Sequence, residues 1–82
     1  MIGAATKDFD ALVEQLRELT SRWNDHEDIP RSQQLECARI GRELDAIGGK
    51  DVMTEAYRAA RAANPHVHVI QAYWDGIGDW RW

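Results

Sequence analysis

Tyr73-Trp74-Asp75-Gly76-Ile77-Gly78-Asp79-Trp80-Arg81-Trp82 holds three of the four tryptophans in this 82-residue sequence, beside two glycines. No helical or strand period runs through it to the end. An indole is costly to leave in water, and its N–H wants a partner when buried. These rings therefore pack either onto the chain's own helices or onto another molecule. The sequence leaves both open, and what they cover has to be read from the residues upstream.

Immediately before lies His66-Val67-His68-Val69-Ile70, which alternates like a strand. Val67, Ile70, Tyr73 and Ile77 also fit one helical stripe. A lone strand has nothing to pair with in a helical chain unless it meets another copy. The reading taken is a short fourth helix that opens at Asn64-Pro65 and ends at Gly76.

Further upstream, Val52, Met53, Ala56, Tyr57, Ala60 and Ala63 mark the buried stripe of a third helix. Gly48-Gly49 separates it from a second, which starts near Pro30 to Ser32 and carries Leu35, Cys37, Ala38, Ile40, Leu44 and Ile47. Gly41 stands inside that helix at a cost of about 1 kcal/mol relative to Ala. Close approach of a neighbouring helix or a large aromatic ring is the simplest reason for it. Phe9, Leu12, Val13, Leu16, Leu19 and Trp23 give the first helix a clear apolar stripe, with Thr6 or Asp8 as its cap and residues 1–5 expected to be disordered ahead of it.

Ala38-Arg39-Ile40-Gly41, Leu44, Gly48-Gly49 and Met53, followed by Trp74-Asp75-Gly76-Ile77-Gly78-Asp79-Trp80, resemble a group of small bacterial and phage proteins. That group pairs an ARxIGxxL…GG…M helix pair with a WDGIGxW tail. The resemblance covers roughly the second half of the chain and leaves out the first helix and Arg81-Trp82. It implies a helical fold but transfers no activity. By analogy, small phage-borne proteins often bind and block a host complex.

Composition narrows the function classes. The length fits one domain spanning 1–82, and a hydrophobic fraction of 44% argues against wholesale disorder. A formal charge of −4 opposes a general nucleic-acid or anionic-membrane binder. One cysteine, Cys37, permits neither an internal disulfide nor a thiol metal cluster. With no apolar run of membrane length and no signal-peptide pattern, the expectation is a cytoplasmic protein.

The chemistry-bearing groups are sparse. His66-x-His68 would share a metal only on a strand, since on a helix the rings stand about 200° apart. Asp25-His26-Glu27-Asp28 lacks the glycine and the distant glutamate of a calcium loop, and reads as a solvated acidic loop. Cys37 falls on an apolar helix face, where a small buried hydrophobe is the simpler reading than a nucleophile. No catalytic residue, metal or cofactor is expected.

The expected fold is therefore all-α: three main helices, a short fourth, and an aromatic C-terminal lid. The expected function is binding, by an accessory or inhibitory factor that blocks a host nucleic-acid-binding complex through protein contact. Tyr73, Trp80, Arg81 and Trp82 are the candidate anchors. Asp25, Glu27 and Asp28, with Glu14 and Glu18 of the first helix, would steer towards a basic partner. A homodimer seam through the aromatics is the other use of the same patch. The alternative is a helix-turn-helix-like regulator reading DNA with Lys50, Arg58 and Arg61 of the third helix.

Overall fold

A computed structural model describes residues 2–24 and 28–81, with the side chains described from residue 8 onward. The chain is all-α, with no strand among the described residues. Its helices are α1 (Ile2–Thr20), α2 (Arg31–Ala63) and α3 (Ile70–Trp74).

α1 begins at Ile2, well ahead of the cap expected at Thr6 or Asp8. Residues 2–5, expected to be disordered, belong to the helix; Ala4 and Ala5 are strong helix formers and carry it back. Its apolar stripe faces inward as the spacing requires. Leu12, Leu16 and Trp23 are buried, with Phe9, Val13 and Leu19 packed partly against them.

The expected second and third helices follow one another directly as the two halves of α2, which breaks at Gly48-Gly49 as the sequence predicts. A straight helix of 33 residues would run about 50 Å, longer than the 42 Å long axis of the molecule. The turn is made at Gly48 and Gly49, where the backbone leaves helical geometry. Gly49 takes φ 72° and ψ −155°, a region open in practice to glycine alone. The first half of α2 lies along α1, and the second returns so that its end meets the end of α1.

That meeting is made by Asn64. Its side-chain amide donates to the carbonyls of Thr20 and Trp23, both at 2.8 Å, and its Oδ1 accepts from the backbone N–H of His66 at 3.0 Å. Asn64 was expected to cap a following helix. Instead it is nearly buried and ties the ends of α1 and α2 together, and α3 starts only at Ile70.

α2 buries a narrower face than its sequence predicts. Cys37, Ile40, Gly41 and Leu44 are inside, whereas Leu35 is 57% and Ile47 38% exposed. In the returning half Met53, Ala56, Tyr57 and Ala60 are buried, while Ala63 is exposed. Two turns carry the chain past Val67, which is buried, into α3.

The aromatic residues after α2 complete the core. Trp74 is wholly buried and donates its indole N–H to the Cys37 carbonyl at 2.9 Å. A Cβ on residue 41 would stand 2.5 Å from that indole nitrogen, which is why a glycine interrupts the helix there. Trp80 meets Trp74 edge-on at 5.2 Å and Tyr57 at 6.2 Å, and Tyr73 meets Trp23 at 5.9 Å. Trp23 in turn donates to Gln33 Oε1 at 3.0 Å. Such edge contacts add to the area the rings bury.

Candidate protein-binding surface

With the core closed by the tryptophans, the outward face of α1 carries a run of exposed carboxylates. Asp10, Glu14 and Glu18 recur every fourth residue and are all exposed. Like charges at this spacing cost a helix a few tenths of a kcal/mol per pair. Among the described residues Arg17 lies 3.7 Å from Glu14, both well exposed, so this pair contributes little.

Beside that stripe runs an open groove of about 340 Å³ between α1 and α2. Asp8, Ala11, Leu12 and Gln15 form its α1 wall, and Glu43, Ala46 and Ile47 its α2 wall. Ala11 and Ala46 are exposed methyls on facing helices, so neither helix fills the space between them. Arg39 forms a clip next to Glu43. It pairs doubly with Glu36 at 2.7 and 2.8 Å, contacts Glu43, and donates to Gln15 across the helix pair at 2.9 Å. The guanidinium hydrogen bond holds the Glu36 carboxyl below the usual carboxylate range and raises Arg39 above its own.

A second cleft, about 330 Å³, is lined by Asn24, Asp28, Ile29, Gln34, His66, His68, Val69 and Tyr73. The two histidines sit in turns on either side of Val67 and share this cleft, with neither the strand nor the helix that the alternatives required. Among the described residues no three His, Cys, Asp or Glu side chains are grouped to hold a metal ion.

The expected site residues are thus dispersed. Glu14 and Glu18 lie on the acidic stripe. Asp28 is exposed at the second cleft, while Asp25 and Glu27 lie outside the described residues. Trp80 is 6% exposed and belongs to the core, so it is no surface anchor. Tyr73 is half-buried, and its hydroxyl pKa is raised by burial and then by the nearby Cys37. Arg81 is exposed and donates to the carbonyls of Gly78 and Trp80, both at 3.0 Å. Trp82 lies outside the described residues.

Lys50, Arg58 and Arg61 are exposed on the returning half of α2, where exposed Asp51 and Glu55 dilute the basic face. The Thr54 hydroxyl beside them donates to the Lys50 carbonyl at 2.8 Å. Cys37 is fully buried, and burial pushes its thiol up to about 12 against a weaker opposing contribution from the Trp74 indole. Such a thiol is protonated and inert at neutral pH.

No helix among the described residues is long and apolar enough to cross a membrane. No protein family, curated protein or solved structure matches the chain. The groove residues Ala11, Gln15, Glu43 and Ala46 were not foreseen. The only signal available was two alanines on polar helix faces, which becomes meaningful once the facing of the helices is known.

Proposed function

We propose that this protein is a non-catalytic binding factor that engages a basic protein surface through the acidic face of α1. The observation that carries this reading is the exposed stripe Asp10, Glu14 and Glu18, repeated at a spacing that does not favour the helix itself. Carboxylates placed at a local cost to the helix point to a task outside the fold. Carboxylates on one face speed encounter with a cationic partner and disfavour acidic ones. Asp28 adds to the same field from the loop after α1.

In this reading residues 70–81 are an aromatic lid. They complete a small core, and the face of α1 is left to the partner. A nucleic-acid-binding protein is a natural target, because its basic surface would be occupied by carboxylates in place of phosphates. Inhibition of such a complex by a phage or mobile-element factor is the corresponding role.

Affinity capture from a bacterial lysate tests the proposal, using the whole chain and a variant carrying Asp10→Lys, Glu14→Lys and Glu18→Lys. One basic protein retained by the native chain, and lost with the variant or in high salt, is expected. Equal retention of the same proteins by both would overturn it.

A further inference from the structure

We infer that the groove between α1 and α2 receives an amphipathic helix bearing a large aliphatic side chain flanked by lysine or arginine. The inference rests on the proposed role of the acidic α1 face and specifies what is bound beside it.

Shape gives the first argument. The α1 wall is a run at i, i+3, i+4 and i+7, and the α2 wall is a run at i, i+3 and i+4. Two such neighbouring runs form the furrow into which a third helix lays a ridge of side chains. Ala11 and Ala46 leave the furrow open, and Leu12 and Ile47 give it apolar contact. At about 340 Å³ it lies at the small end of binding pockets and suits a side-chain anchor better than a cofactor. Ile47, 38% exposed, is one of two large hydrophobic side chains standing well out in solvent among the described residues.

Charge selects the partner. Asp8 and Glu43 flank the apolar floor, and no lining residue is basic. The clip beside them sets one guanidinium, Arg39, between two carboxylates, Glu36 and Glu43, and so stays net negative. A second copy would bring carboxylates against carboxylates, and a nucleic acid or anionic lipid would meet the same repulsion. A helix with cationic flanks gains from both walls.

The test uses the isotope-labelled whole chain and a synthetic helix about four turns long, with leucine on one face and lysine beside it. One control peptide carries glutamate in place of lysine, and another alanine in place of leucine. The leucine–lysine helix is expected to shift the amides of Ala11, Gln15, Ala46 and Ile47, and neither control to do so. Ala46→Arg should weaken binding about tenfold or more, because it fills the furrow and adds a cation at a solvent-exposed position. Ala11→Gln should act in the same direction by filling alone.

Shifts confined to the Asp10–Glu18 stripe, with Ala46→Arg and Ala11→Gln binding as well as native, would overturn the groove and leave the charged-face reading standing. Absence of any shift would overturn the groove as well. Groove amides that move on dilution, with the mass of a dimer by light scattering, would give the furrow to a second copy and also overturn the inference.

Discussion

The indole nitrogen of Trp74 stands 2.5 Å from where the Cβ of residue 41 would be, so the ring and the glycine occupy one space between them. Gly41→Ala should therefore destabilise the protein, although alanine is the better helix former by about 1 kcal/mol. Overpacking of a close-fitted core costs about 1–3 kcal/mol and opposes that gain. Urea denaturation of Gly41→Ala, and of Gly41→Ala combined with Trp74→Leu, measures the coupling. Any rise in stability for the single variant would count against the packing described.

Asn64 uses its amide group in buried bonds to the carbonyls of Thr20 and Trp23 and its oxygen in a partly buried bond from the His66 N–H. Asn64→Ala leaves two carbonyls without that donor and should lower stability by roughly 2–4 kcal/mol. Asn64→Asp sets a carboxylate oxygen against those carbonyls and should be worse at neutral pH. Thermal unfolding followed by circular dichroism distinguishes them; equal melting temperatures for native and both variants would refute the clamp.

Trp74 and Trp80 make different predictions. Trp74 donates to Cys37, whereas the Trp80 indole nitrogen is buried with no hydrogen-bond acceptor among the described residues. Trp74→Phe loses a bond and volume, at roughly 2–3 kcal/mol. Trp80→Phe loses volume but also removes an orphaned donor whose burial costs about 1–3 kcal/mol, so its net effect should be near zero. Chemical denaturation of the two variants side by side decides it, and a larger loss at position 80 would be the wrong order.

Cys37 sets a stability limit in alkali. Burial raises its thiol from 9.0 to about 12, so the folded state favours the protonated form. That preference is fully present below pH 9 and is lost as pH rises towards 12. Melting temperature should fall across this window, and Cys37→Ala should fall less steeply whatever its stability at neutral pH. In the native state a thiol reagent should modify the protein only as fast as it unfolds; rapid labelling at neutral pH would contradict the burial.

Much of the helical framework was legible in the sequence, because periodicity reports directly on burial. Leu12 and Leu16 of α1, Trp23 just beyond its end, and Met53, Ala56, Tyr57 and Ala60 of α2 lie inside as their spacing requires. Gly41 in mid-helix pointed to close approach of a helix or a large ring, and the Trp74 ring is what meets it. Asn64 was misread because its local context, before a proline, matches a helix cap, while its actual partners are more than forty residues away. Leu35 and Ile47 were placed inside because hydrophobicity alone does not say how wide a helix face its neighbours cover. The candidate site was the least legible part. Carboxylates such as Glu14 and Glu18 could be named, but a furrow between two helices is a property of their facing, which no single segment encodes.

The shared space of Gly41 and Trp74 also has a consequence for descent. A ring and a missing side chain that occupy one volume constrain each other: a larger residue at 41 is tolerated only with a smaller one at 74. The Cys37 carbonyl that holds the indole is backbone and survives change of its side chain. Related chains should therefore keep the glycine and tryptophan, or exchange them together, while the residue at 37 drifts among small hydrophobes. Joint variation of these two positions would mark kinship more reliably than overall identity in so short a chain.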